Sequence, residues 1–134
     1  MRLVLGKALP AEPEVAWRFV TEPELINRWS LAQVRADDDG RTVAIRVGPL
    51  TWHVHERIEV ADPPRRLVYR VDPGFPVRRH RGELTLCPRA AGTDLTWAVD
   101  FDLVAPGAAW PIGFVLGSQL RASLDRLVEV VGAA

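Results

Sequence analysis

Eleven prolines, at 10, 13, 23, 49, 63, 64, 73, 76, 88, 106 and 111, limit the fold more than any other feature of this sequence. Proline lacks a backbone donor and fixes φ, so helix interiors and central strands exclude it. Each one therefore marks the edge of an element. The intervals between them have the length of single strands or helices. No internal repeat, low-complexity tract or long linker divides the chain.

The apolar period changes twice between these markers. Arg2 to Leu9 reads as a short strand. Pro13 opens a helix whose apolar face is Val15, Ala16, Phe19 and Val20. Thr21-Glu22-Pro23-Glu24 has the capping-box pattern and predicts a second short helix through Leu25, Ile26 and Trp29. The period then drops to two. Leu31–Ala36 and Arg41–Val47 flank an Asp-Asp-Asp-Gly hairpin turn. Trp52, Val54, Glu56, Ile58 and Val60 alternate with polar residues, and Leu67, Tyr69 and Val71 alternate with Val68, Arg70 and Asp72. Val77 to Cys87 is a strand with Gly82 as a candidate bulge. Leu95, Trp97, Val99, Phe101 and Leu103 alternate most cleanly of all. After Pro106-Gly107 the period returns to 3.6, with Ile112, Leu116, Leu120, Leu124, Leu127 and Val131 on a long helix capped near Gly132. Strands joined by short turns form an antiparallel meander, and only the last helix is long enough to cover its apolar face.

Composition removes several function classes. The chain has 134 residues, which suits one domain spanning 1–134. Cys87 is its single cysteine, which excludes an internal disulfide framework and a cysteine-based zinc site. Its 17 basic and 17 acidic residues cancel, which argues against a nucleic-acid partner. The apolar run at Leu3–Leu5 is too short for a signal peptide, and no stretch nears the roughly 20 apolar residues of a membrane span. A cytoplasmic protein, monomeric or homodimeric, is expected.

Four segments carry a resemblance to a known group. They are Pro10-Ala11-Glu12-Pro13-Glu14-Val15-Ala16-Trp17, Thr21–Leu25 followed by Trp29, Glu59–Tyr69 with its double proline, and Gly92-Thr93-Asp94-Leu95-Thr96-Trp97. In this order they resemble the bacterial START/Bet v 1-like (SRPBCC) superfamily, in its polyketide cyclase/dehydrase and lipid-transport group. The resemblance implies an α+β helix-grip fold. A curved antiparallel sheet of about seven strands, in the order β-α-α-β6-α, would wrap the C-terminal helix and leave a hydrophobic cavity.

Strand phase then predicts the cavity wall. Trp52, Val54, Tyr69, Trp97, Val99 and Phe101 fall on the concave face, with His80 and Leu84 from the strand containing Gly82. Trp110, Phe114, Gly117 and Leu120 approach from the helix. Trp17 and Trp29 are expected to anchor the short helices. Gly113 and Gly117 form a smooth strip, suited to close packing or to a ligand. Glu56, Arg78 and His80 are polar residues in apolar phase, and with Tyr69 they are the candidate catalytic groups. Gln119 and Ser123 neighbour the helix stripe. His53-x-His55 has metal-like spacing but lies in phase with Arg57 and Glu59 and has no evident third ligand, so no metal is expected. Arg65, Arg66, Arg70 and the Arg78–Arg81 run read as a solvent face offset by acids. No phosphate loop, dinucleotide fingerprint or nucleophile triad is present, and no cofactor is expected.

These features predict a binding or transport protein for a small hydrophobic molecule, either lipid, polyketide or aromatic. An aromatase/cyclase-like enzyme is the alternative. A protein-interaction module, such as a chaperone activator or ribosome-associated protein, is the third class that the fold resemblance allows.

Overall fold

The two changes of period become the boundaries of the fold in the computed structural model, which describes residues 1–72, 77–103 and 109–133, without the side chains at 47, 77, 103 and 109–112. The elements are β1 (Arg2–Leu9), α1 (Pro13–Thr21), α2 (Pro23–Ile26), β2 (Gln33–Asp37), β3 (Gly40–Val47), β4 (Leu50–Asp62), β5 (Arg66–Val71), β6 (Val77–Arg89), β7 (Gly92–Leu103) and α3 (Ala109–Gly132). The seven strands form one antiparallel sheet in the order β1-β7-β6-β5-β4-β3-β2. From β2 onward it is a meander, closed by β1 pairing with β7. No helix among the described residues is long and apolar enough to cross a membrane.

Two-residue turns set the register. Asp37 pairs with Gly40, Val47 with Leu50 and Arg89 with Gly92. Gly92 has φ +145°, and a Cβ there would overlap the Leu9 carbonyl. This close approach lets fully buried Thr93 donate its hydroxyl to the Ala11 carbonyl at 2.7 Å. The start of β7 is thereby pinned beneath the loop leading to α1.

Local details depart from the sequence reading at three places. Thr21 does not cap α2: it ends α1, and its hydroxyl donates to the Trp17 carbonyl four residues back at 2.7 Å. Glu22 takes the cap position of α2 without a side-chain cap bond. Val15 is exposed, whereas Ala16, Phe19 and Val20 are buried. The bulge in β6 is not at Gly82. Arg78 pairs with Asp102 and Arg81 with Asp100, so β6 takes three steps while β7 takes two. Arg79 sits at the irregularity with φ +51°. The extra residue turns Arg78 to the outer face and leaves His80 in phase with Leu84 and Leu86.

Helix α3 does two jobs along its length. Its second half supplies Leu124, Leu127 and Val131 to a core that includes Leu9, Ala16, Phe19, Val20, Leu84, Leu86 and Leu95. Its first half brings Leu116 and Leu120 to a second cluster with Val99 and Phe101. Burial of that first set drives the helix onto the sheet, each large apolar side chain contributing about 1.5–3 kcal/mol. On the outer face the arginines meet acids, mostly across strands and once, at Arg81 and Glu83, along β6. Arg66 pairs with Glu83 at 2.6 Å, Arg81 with Glu83 at 3.4 Å, Arg79 with Asp102 at 3.0 Å, and Arg70 with Glu59.

Candidate functional site

A cavity of about 120 Å³ lies between the sheet and the first half of α3. Its apolar wall comes from Val20, Ile26, Trp29, Leu31 and Ala32 on one side. Val34, Val43, Ile45, Val54, Val71, Leu84 and Val99 form the sheet side, and Leu116 and Leu120 the helix side. Hydrogen bonds tie α3 to both flanks. The Leu31 amide donates to Ser123 Oγ at 3.1 Å, and Gln119 Nε2 donates to the Arg46 carbonyl at 3.1 Å.

One polar cluster interrupts this wall. Arg41 and Glu56 are direct cross-strand partners on β3 and β4. Arg41 Nε donates to Glu56 Oε1 at 2.6 Å, and the two side chains are only 11% and 12% exposed. The guanidinium also stands 5.4 Å from the centre of the Tyr69 ring. Trp97 Nε1 donates to Tyr69 Oη at 3.1 Å. Burial, reinforced by the nearby Glu56 carboxylate, holds the Tyr69 phenol well above its ordinary value. It is a neutral hydroxyl at any physiological pH.

Aromatic contacts continue from Tyr69 in both directions. Trp97 meets Trp29 edge to face, with centroids 6.4 Å apart, and Trp29 Nε1 donates to the Phe19 carbonyl at 2.7 Å. His80 lies 6.1 Å from Tyr69 and stacks on Phe101 at 6.0 Å. Burial pushes the His80 imidazole down to about 4, so it is neutral near pH 7. Its Nδ1 is buried without a hydrogen-bond partner.

The cavity gathers Val54, Glu56, Tyr69, His80, Leu84, Trp97, Val99 and Leu120 from the residues singled out in the sequence. Gln119 and Ser123 line it too, whereas Trp52, Phe101, Phe114, Gly117 and Arg78 do not. Trp52 is half-buried opposite Ile45, beyond the cavity end of β4. Phe101 is buried behind His80 rather than on the wall. Phe114 is 64% exposed, because a helix turns about 100° per residue and Leu116 and Leu120 take the inward positions. The strip of Gly113 and Gly117 faces elsewhere. A Cβ at Gly113 would press on Met1 Sδ, and one at Gly117 would stand 3.4 Å from Arg121 Nη1. Arg78 is exposed on the outer face, turned there by the bulge. The Trp110 side chain lies outside the described residues.

His53 and His55 do not act as a pair. His55 alone meets acids on the outer face, with Nε2 3.0 Å from both Asp37 and Asp39 and Nδ1 3.1 Å from Asp72. Those carboxylates hold its imidazolium favoured and raise its affinity for a proton, with the Asp37 hydrogen bond the largest cause.

Residues 5–132 match the family described as polyketide cyclase / dehydrase and lipid transport. The chain belongs to this family. Solved structures share its helix-grip fold. A conserved protein of Geobacillus kaustophilus is 15% identical, with a TM-score of 0.82 over 99% of this chain and 96% of that one. A protein of Thermus thermophilus is 18% identical, with a TM-score of 0.81 over 99% and 98%. One from Thermobifida fusca is 26% identical, with a TM-score of 0.74 over 98% and 93%. No curated protein matches the chain.

Trp29 and Arg41 are among the cavity residues of this cyclase/dehydrase and lipid-transport family member that escaped the sequence reading. Trp29 both anchors its helix and lines the cavity. Arg41 is in phase with Val43 and Ile45 on β3, and that phase was the available signal for an inward-facing charge.

Proposed function

We propose that the protein binds a small hydrophobic molecule in the cavity beneath α3. The observation that carries this reading is an apolar chamber with two tryptophans and one compact polar cluster on its wall. Pockets of this kind bury most of a ligand against carbon and fix its orientation through few polar groups. The wall is continuous with the core: Val20, Ile26, Trp29, Val34, Val43, Val54 and Leu84 belong to the same buried cluster as Leu124 and Leu127. A polyketide, a lipid chain end or an aromatic compound suits such a wall.

Binding is preferred to catalysis on the state of the polar groups. Glu56 is engaged by Arg41, the Tyr69 phenol is firmly protonated, and Arg78 faces away. His80 alone retains a free base within the cavity wall, and cyclisation of a polyketone needs a base together with a group that polarises the carbonyl.

Trp29 and Trp97 provide the test. Titration with a panel of single-ring and chain hydrophobes is expected to quench or shift tryptophan emission, and Leu120→Trp is expected to abolish that response by filling the chamber. Absence of binding by every member of the panel would overturn the reading.

A further inference from the structure

We propose that the cavity selects an uncharged, ring-sized molecule with one polar edge, such as an aromatic amide or hydroxy-ketone, and that the Arg41–Glu56 pair makes this selection. The inference rests on the ligand-binding reading above and narrows it to a chemical class.

Size gives the first limit. A cavity of about 120 Å³ compares with the roughly 150 Å³ apolar cavity that admits benzene. One ring fills it.

Charge gives the second. Arg41 and Glu56 cancel each other, and Tyr69 and His80 are neutral beside them. Arg41 uses Nε and Glu56 uses Oε1 in their mutual bond. The Arg41 amino groups and Glu56 Oε2 have no other hydrogen-bond partner among the described residues. Nor are they among the sealed polar atoms, of which His80 Nδ1 alone lacks a partner. The pair thus offers donors beside an acceptor, the complement of a carbonyl next to an N–H or O–H.

An anionic ligand fits this edge poorly. It can meet the Arg41 amino groups, but the Glu56 carboxylate beside them repels it, and its net negative charge must be taken against a largely apolar wall. A ligand with no polar edge leaves the pair without the partners that displaced water supplied. A neutral donor–acceptor edge avoids both costs.

Three ring-sized probes separate these cases: benzamide, benzoate and toluene, titrated at pH 7 by tryptophan fluorescence and by the Trp97 indole N–H resonance. We expect wild-type protein to bind benzamide at least about tenfold more tightly than benzoate. In Glu56→Gln, Arg41 loses its counter-charge and benzoate becomes the preferred probe. A tenfold change is about 1.4 kcal/mol, well within the range of a lost or gained charge-assisted hydrogen bond. Toluene binding with no preference for benzamide over benzoate overturns the selection and leaves the binding reading intact. The same holds if Glu56→Gln keeps the wild-type order. Failure of all three probes overturns both. If Glu56→Gln does not fold, the wild-type ratio of benzamide to benzoate decides the matter alone.

Discussion

The Tyr69 ring lies over Gly82, its direct cross-strand partner on β6, in space that any side chain at 82 would occupy. The glycine serves as a floor for the ring rather than as a bend in the strand. Gly82→Ala must displace Tyr69 and break its bond from Trp97. We expect a loss of about 1–3 kcal/mol, as for overpacking of a buried site. Urea denaturation with a midpoint equal to that of wild type would show that the ring has somewhere else to go.

His80 makes stability depend on acid. Its folded value is depressed to about 4 by burial, whereas the unfolded chain titrates near the ordinary 6.5. The unfolded state therefore binds more protons between these values. The stabilisation is complete above about pH 6.5 and is lost as pH falls toward 4, up to about 3 kcal/mol. His80→Leu is expected to flatten that part of the stability profile. An unchanged slope in the variant would remove His80 as the cause.

His55 works in the opposite direction. Its folded value is raised, by Asp37 foremost, so its contribution is fully present below the unfolded value near 6.5. It disappears as pH rises through the folded value. NMR titration of the His55 ring is expected to give a midpoint above 6.5 that drops in Asp37→Asn. A midpoint indifferent to that substitution would mean that Asp39 and Asp72 hold the ring without Asp37.

The two halves of α3 should respond differently to truncation. Leu127→Ala empties a fully buried position and is expected to cost about 2–5 kcal/mol. Phe114→Ser, on the exposed side, is expected to stay within about 0.5 kcal/mol of wild type and to leave probe binding unchanged. Weakened binding in Phe114→Ser, measured by the same fluorescence titration, would place that ring on the path to the cavity.

Element order was legible because proline positions and strand phase are local properties. Val43, Ile45 and Val54 report their face through period two alone, and Leu124, Leu127 and Val131 through period 3.6. Two kinds of information were not local. The phase of Arg78 depends on an extra residue near Arg79, and a bulge there leaves no mark in composition. The facing of Phe114 depends on which apolar stripe of an all-round apolar half-helix meets the sheet. Such a half-helix offers several stripes of equal merit, and tertiary packing chooses among them. Arg41 was visible by phase, but its role follows only from the register that sets it opposite Glu56.

The bulge between Arg78 and Arg81 has a consequence for how this pocket can change. Along a regular strand, polarity inside is altered by replacing a side chain. Here, flattening the bulge at unchanged strand length would bring Arg78 into phase with Leu84 and expose the cavity to an uncompensated guanidinium, whereas deleting the extra residue would leave Arg78 outside. The irregular backbone at Arg79, and not the identity of residue 78, keeps that cation out. A substitution that flattens the bulge is thus chemically equivalent to importing a positive charge, and changes confined to this short stretch are a route by which ligand charge preference can shift without any change in the wall residues themselves.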